Sequence, residues 1–176
     1  MKKLKLHELG RLSADEFRVA EKNKAILILD NVRSLHNVGS AFRTADAFRL
    51  EKIYLAGITG VPPHREIHKT ALGATDTVEW QYFEAVADAV RTAKNDGRKI
   101  IAVEQTDQSI PLGQHSFSSA EKYCFVFGNE VNGVSEEAIA LADAAIEIPQ
   151  EGAKHSLNVS VCIGIVMWEV FRNKMG

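Results

Sequence analysis

Apolar, strand-like runs alternate with helical patterns along the chain, and this alternation limits the possible folds more than any other feature. The run from Ala25 to Leu29 is apolar at every position, which is typical of a strand buried on both faces. Strands are predicted over residues 25–30, 52–56, 77–80, 99–103, 123–127 and 144–148, and helices over about 14–24, 37–49, 83–95, 136–141 and 157–173. Strands that alternate with helices form a largely parallel sheet. We therefore predict an α/β fold with a mainly parallel six-stranded sheet and helices on both faces.

The distribution of charge limits how this chain could bind nucleic acid. The 176 residues carry a net charge of −2, unlike proteins that hold nucleic acid by bulk electrostatics alone. Residues 1–24 differ, with seven Lys or Arg against four acidic residues. We predict one domain over 1–176 with a short basic N-terminal helical extension over about 1–24.

Metal and membrane binding are not expected. Cys124 and Cys162 lie in apolar segments, and no His or Cys spacing fits a metal site. No apolar run has the length of a membrane span, and the N-terminus lacks a secretory signal. The sequence therefore predicts a cytoplasmic protein without metal or membrane contacts.

Three polar loops follow predicted strands, after Asp30, Phe127 and Ile148. Ligands of parallel α/β sheets bind beyond the carboxyl ends of the strands. The loops lack the GxGxxG pattern of dinucleotide sites and the Lys-Ser/Thr pair of a P-loop, which argues against a nucleotide- or NAD-binding enzyme. Taken singly, each loop also has a plain structural explanation, because Asn37 or Glu130 can cap a helix, as can one of the polar residues between 156 and 160.

Three blocks of sequence resemble the three signature motifs of the SpoU/TrmH family of RNA ribose methyltransferases. They are Asn37-Val-Gly-Ser-Ala-Phe-Arg43-Thr-Ala, Phe127-Gly-Asn-Glu130-Val-Asn-Gly133, and Ile148-Pro to Ser156-Leu-Asn-Val-Ser160-Val-Cys-Ile-Gly164-Ile. Each block alone is weak evidence, but the three stand in the family's order and span residues 37–165. Gln150 and Cys162 depart from the pattern, which has Met and Ala there.

The resemblance implies a fold, a cofactor and an assembly. Members of the family have an α/β domain whose C-terminal segment threads a loop as a deep trefoil knot, the SPOUT fold. They use S-adenosyl-L-methionine (S-adenosylmethionine) to methylate a ribose 2′-hydroxyl of RNA, and they are homodimers with active sites near the subunit interface. The apolar final helix, with Val161, Ile165, Trp168 and Phe171, would contribute to that interface. Burial within the monomer explains Trp168 equally well.

The resemblance also assigns residues to the site. The cofactor would be bound by Val103, Glu104, Phe127, Gly128, Asn129, Ile148 and Leu157, at apolar strand ends that suit a flat heterocycle. The catalytic residues would be Arg43, Asn37, Glu130, Ser156 and Asn158. A guanidinium is a poor base, so Arg43 would stabilise negative charge on the 2′-oxygen and clamp the adjacent phosphate. Asn37 would orient Arg43 or the ribose, and the other three would hold the cofactor loop.

The RNA substrate is less defined than the reaction. Relatives with these motifs modify transfer RNA or ribosomal RNA, and we expect transfer RNA (tRNA). One 2′-hydroxyl is selected only through contacts elsewhere on the RNA, which we expect from the basic stretches 1–24 and 64–69 and from the dimer. The main alternative is a non-catalytic RNA-binding module of the same fold, against which the intact motif residues argue.

Overall fold

The computed structural model describes residues 1–5, 8–153 and 156–175, which contain one parallel β-sheet and its helices. The strands are β1 (Asn23–Asp30), β2 (Leu50–Ala56), β3 (Glu79–Phe83), β4 (Arg98–Val103), β5 (Ile110–Pro111), β6 (Lys122–Phe127) and β7 (Ala144–Glu147). The helices are α1 (Ala14–Val19), α2 (Leu35–Ala47), α3 (Arg65–Ala71), α4 (Val86–Asn95), α5 (Glu136–Leu141) and α6 (Val159–Met175). Within the described residues the strand order is β3-β2-β1-β6-β4-β7-β5, and each neighbouring pair is parallel.

Side chains of the central strands alternate between two buried layers. On β1, Leu27 and Leu29 belong to an apolar cluster with α2 and α6, whereas Ile26 and Ile28 belong to a cluster with α4 and α5. All four side chains are fully buried, and each contributes about 1.5–3 kcal/mol to folding. Because both faces of the strand are covered, its sequence shows no alternation of polar and apolar residues. The predicted parallel α/β fold with helices on both faces is confirmed.

The prediction of six strands was wrong, since the sheet has seven. The missed strand, β5, has only two residues and pairs with β7 at one edge of the sheet. Two residues cannot show a period, and Pro111 cannot donate a ladder hydrogen bond. The strand predicted over 77–80 lies at Glu79–Phe83 instead. It forms the other edge, where four of its five side chains, including Trp80 and Tyr82, are exposed, so burial does not define its bounds.

Helix α3 was not predicted either, and it bears on the site. Its seven residues are mostly polar and bury only Ile67 and Ala71, so the helical apolar pattern is too short to detect. The helix packs closely on α2 at Gly39, where a Cβ would overlap the main-chain oxygen of Ile67. The predicted helix over 14–24 is shorter than expected, because α1 ends at Val19 and β1 begins at Asn23. Among the helices of the described residues, none is long and apolar enough to cross a membrane.

Candidate active site

A cleft of about 500 Å³ lies at the carboxyl ends of the neighbouring strands β6, β4 and β7 and at the start of α6. Its walls include every residue that the sequence assigned to cofactor binding, together with three of the five assigned to catalysis. These ten are Val103, Glu104, Phe127, Gly128, Asn129, Glu130, Ile148, Ser156, Leu157 and Asn158. The cleft therefore gathers segments that are far apart in sequence and adjacent in the sheet.

The loop after β6 is held in a tight curl by its two glycines. Asn129 and Gly133 exchange two main-chain hydrogen bonds, each 2.9 Å long. A Cβ on Gly128 would overlap the backbone of Gly133, and Gly133 itself has a φ of +68°, which favours glycine. The Glu104 carboxylate accepts a hydrogen bond from the Val134 N–H at 2.9 Å and thereby ties this curl to the end of β4.

The Glu130 carboxylate joins this loop to the start of α2. It accepts hydrogen bonds from the main-chain N–H groups of Arg33 and Ser34, at 3.0 and 2.9 Å, and from the side-chain amide of Asn37 at 2.9 Å. Partial burial opposes ionisation, but these hydrogen bonds outweigh it and hold the pKa of Glu130 below its ordinary value. Glu130 is therefore not a local cap, since its partners lie more than 90 residues away.

Asn37 extends the same network to the start of α6. Its side-chain oxygen accepts a hydrogen bond from the Asn158 amide at 3.2 Å, and the Asn158 oxygen accepts from the main-chain N–H and hydroxyl of Ser160 at 2.8 and 2.6 Å. Asn37 is buried and does not cap α2, because the N-cap of that helix is Ser34. Both ends of its side-chain amide are used, so its orientation is fixed by the loops on either side.

Arg43 lies outside the cleft. Six residues after Asn37 on α2, it is exposed and lines a second recess of about 490 Å³ between α2, α3 and α6. No acidic side chain contacts its guanidinium within the described part of the chain. The structure thus separates the residues predicted to bind cofactor from the arginine predicted to act in catalysis.

Most of the chain is similar in sequence to one known protein family. Residues 24–168 match the sequence model of the SpoU rRNA Methylase family. The chain belongs to the SpoU family. It is 30% identical over 146 residues to the tRNA (guanosine(18)-2'-O)-methyltransferase of Escherichia coli strain K12, an alignment that covers 83% of this chain and 62% of that protein. The chain therefore spans less than two thirds of that relative's length.

Two solved structures show the same fold as this SpoU family member. The crystal structure of the Aquifex aeolicus TrmH/SpoU tRNA modifying enzyme matches with a TM-score of 0.81 and 28% identity, over 92% of this chain and 81% of that one. The AdoMet-bound rRNA methyltransferase from Sinorhizobium meliloti matches with a TM-score of 0.79 and 27% identity, over 89% of this chain and 59% of that one.

Several residues that support the SpoU family cleft were not singled out from the sequence. Buried Asp30 accepts a hydrogen bond from the Ser135 N–H at 2.8 Å, and Asn31 has a positive φ, which asparagine tolerates. The Thr59 hydroxyl accepts a hydrogen bond from the Val32 N–H at 3.0 Å and donates one to the Leu29 carbonyl at 2.9 Å. Of these residues, only Asp30 could have been recognised from the sequence, because it places a carboxylate at the end of an apolar strand. No group of three or more metal-ligating side chains occurs in the ranges the structure describes.

Proposed function

We propose that this protein transfers a methyl group from S-adenosylmethionine to a ribose 2′-hydroxyl of RNA, with tRNA preferred to ribosomal RNA. The network Glu130–Asn37–Asn158 is the observation that carries the proposal, because it joins two loops of the cleft to the helix that carries Arg43. Family relatives add support: the E. coli and A. aeolicus proteins are described as tRNA-modifying, and the S. meliloti protein as an AdoMet-bound rRNA methyltransferase.

The cleft fits S-adenosylmethionine in size and chemistry. Its volume of about 500 Å³ lies within the range of small-molecule and cofactor sites. Apolar walls from Val103, Phe127 and Ile148 stand beside the curled main chain at Gly128, where a flat apolar ring and polar groups can both be accommodated. When bound, S-adenosylmethionine supplies an electrophilic methyl group. The residues that would hold it are Val103, Glu104, Phe127, Gly128, Asn129, Ile148 and Leu157.

The catalytic work is assigned to Arg43 and the residues that position it. A guanidinium stays protonated, so Arg43 stabilises negative charge on the 2′-oxygen and holds the neighbouring phosphate. The hydroxyl proton leaves to solvent water as the 2′-oxygen bonds to the methyl group, whose bond to sulfur breaks to leave a neutral thioether. Asn37 fixes the first turn of α2, and Glu130 and Asn158 fix Asn37. Ser156 lines the cleft beside Leu157 and contributes to the cofactor loop. The RNA backbone would occupy the recess at Arg43 while the methyl donor occupies the cleft.

We propose in addition a homodimer and a trefoil knot. An apolar stripe on α6, formed by Val161, Ile165 and Trp168, is 37–50% exposed, which is unfavourable in water and suits a subunit interface. The two loops that would form the knot, after β6 and after β7, both line the cleft, as expected if they interlock around the cofactor. A single domain with a basic N-terminal extension and a cytoplasmic location stay predictions.

The reaction is tested with tritium-labelled S-adenosylmethionine and separate pools of unmodified tRNA and ribosomal RNA. We expect label in alkali-resistant dinucleotides from the tRNA pool. Arg43→Ala should lower kcat/KM by about 10²-fold or more while cofactor binding measured by calorimetry is kept. Arg91→Ala is the control, because Arg91 is an exposed arginine on α4, paired with Asp88, and it should leave the rate unchanged.

Other outcomes would contradict the proposal. A rate for Arg43→Ala within a few-fold of the parent would show that the arginine has no catalytic role. Absence of both methyl transfer and cofactor binding in the parent would leave the non-catalytic RNA-binding module. Label in the ribosomal RNA pool alone would change the substrate and keep the reaction.

A further inference from the structure

The recess at Arg43 has the lining of an anion site. Two cations and three hydroxyl groups line it, and no acidic side chain does so among the described residues. Its lining consists of Ser40, Arg43, Thr44, Ala47, Phe48, Lys69, Thr70 and Gly164. The cations stand on two helices that pack backbone to backbone at Gly39. The separation of Arg43 and Lys69 is therefore set by rigid elements rather than by flexible loops.

The Lys69 ammonium is oriented by one hydrogen bond and keeps N–H donors that a ligand can use. Its ammonium donates to one oxygen of Glu66 at 2.7 Å, and the other oxygen of Glu66 contacts His36 at 3.1 Å. An ammonium has three N–H donors, so one bond to Glu66 leaves two for a ligand. The hydrogen bond from Lys69 also lowers the pKa of Glu66, and the carboxylate stays ionised as an orienting group. The Lys69 side chain is 49% exposed and accessible from solvent.

We propose that Lys69 and Arg43 together hold one phosphodiester of the RNA backbone in this recess, and that Lys69 thereby positions the ribose to be methylated. The inference rests on the proposed function. A guanidinium binds two phosphate oxygens at once, whereas an ammonium binds as a compact charge. The hydroxyls of Ser40 and Thr44 are further donors to phosphate. Such contacts fix the register of an RNA without reading its bases.

The recess is open on the side formed by α6. A Cβ added to Gly164 would meet no atom within 4 Å, so the glycine leaves room at this point of α6. In contrast, the Gly39 backbone of α2 is in direct contact with α3. Gly39 allows α2 and α3 to approach each other, and Gly164 leaves space between these two helices and α6.

The experiment measures binding of an unmodified tRNA transcript over a series of KCl concentrations. The variants are Lys69→Gln, which removes the charge, and Lys69→Arg, which keeps it. Lys99→Gln is the matched control, since Lys99 has a similarly exposed side chain at 56% and a similar ion pair, to Glu121 at 2.5 Å. It lies at the start of β4, whereas the cleft is built from the carboxyl ends of the strands.

Loss of one phosphate contact has a defined signature. Lys69→Gln should weaken RNA binding about fivefold at 0.1 M KCl and lower the slope of log affinity against log salt by about 0.7–0.9. Lys69→Arg should restore both, and Lys99→Gln should change neither. Cofactor affinity should be the same in all four proteins, and in a methylation assay Lys69→Gln should raise KM for the RNA more than it lowers kcat.

Different results would exclude the phosphate site and the methylation reaction. If the parent methylates RNA and Lys69→Gln keeps the parental affinity and salt slope, the phosphate site is wrong and the reaction stands. If Lys69→Arg binds as weakly as Lys69→Gln, the lysine has a structural role only. If the parent binds S-adenosylmethionine but no RNA, the RNA substrate and the phosphate site fall together.

Discussion

The Glu130 carboxylate connects the loop after β6 to the start of α2, which are far apart in sequence. Its carboxylate receives three hydrogen bonds, from Arg33, Ser34 and Asn37, and its pKa lies below the ordinary value near 4.5 because these bonds outweigh the opposing effect of burial. A carboxylate with a lowered pKa is ionised throughout the neutral range and accepts hydrogen bonds only. It is therefore suited to holding N–H groups in place and unsuited to donating a proton.

Replacement of Glu130 by glutamine should destabilise the protein. The glutamine side chain would offer an NH₂ group where the carboxylate has an acceptor, so at least one N–H loses its partner, at a cost of about 1–2 kcal/mol for this partly exposed site. The folded-state pKa is lowered, so the contribution is present above the unfolded pKa and is lost as pH falls through the folded value. Urea unfolding at pH 7 should show the full difference between parent and variant, and at pH 3 a smaller one.

Glu84→Gln is the control for this measurement, because Glu84 is exposed and lines neither the cleft nor the recess. Equal stability of Glu130→Gln and Glu84→Gln at pH 7 would show that the three hydrogen bonds contribute nothing to folding. A difference that grows as the pH is lowered would contradict the assignment of a lowered pKa.

The residues of the Glu130–Asn37–Asn158 network could be identified from the sequence, but the hydrogen bonds between them could not be predicted. The motif blocks identify Asn37, Glu130 and Asn158, whereas the bonds between them span 93 and 121 positions. Local patterns give capping as the nearest explanation for Asn37 and Glu130, and both explanations are wrong. Which polar groups meet depends on the order of strands in the sheet, which places the ends of β6 and β1 side by side.

Helices α2 and α6 each contain a glycine, and the two have opposite surroundings. Gly39 in α2 faces the α3 backbone so closely that a Cβ would overlap Ile67 and Thr70. Gly164 in α6 faces open space. A glycine in a helix interior costs about 1 kcal/mol relative to alanine, and only the first of these positions offsets that cost through helix packing.

The two glycine-to-alanine variants should therefore change stability in opposite directions. Gly164→Ala should stabilise the protein by about 0.5–1 kcal/mol, and Gly39→Ala should destabilise it by about 1–3 kcal/mol by forcing α3 away. Chemical unfolding of both variants and of the parent provides the comparison. Destabilisation by Gly164→Ala would mean that a group absent from the single chain, such as a second subunit, occupies the space beside it.

Elements with two buried faces were predictable, and elements at the periphery were not. The continuous apolar runs of β1, β4 and β6 coincide with strands because helices cover both sides of them. Strand β3 exposes most of its side chains, β5 has two residues, and α3 buries only two. These elements take their conformation from their neighbours, so their own residues carry little periodic signal.

The molecule as a whole presents an apolar stripe on α6 to solvent. Val161, Ile165 and Trp168 follow one another at helical spacing, and Trp168 is 50% exposed. Burial of Trp168 within the monomer, which the sequence left open, therefore does not occur in this chain. Large exposed aromatic side chains in an apolar patch are often among the residues that contribute most to the binding free energy of an interface.

Substitution of Trp168 by Glu should convert the proposed dimer to a monomer. Loss of a large aromatic side chain and insertion of a charge should weaken self-association by at least about 30-fold, measured by light scattering or sedimentation over a range of concentrations. Val19→Glu is the control, because Val19 is an exposed apolar residue on α1. A parent that sediments as a monomer at all concentrations, or a dimer that tolerates Trp168→Glu, would contradict the proposed interface.

The cleft and the recess share no lining residue in the described part of the chain. If they hold the two reactants as proposed, methyl-donor use and RNA choice are traits that natural selection can change separately. Substitutions on α3 would then change how tightly the RNA backbone is held without touching the loops that bind the donor. Since α3 buries only two side chains, it can diverge at little cost to folding, so relatives could come to differ in their hold on RNA while keeping one donor site.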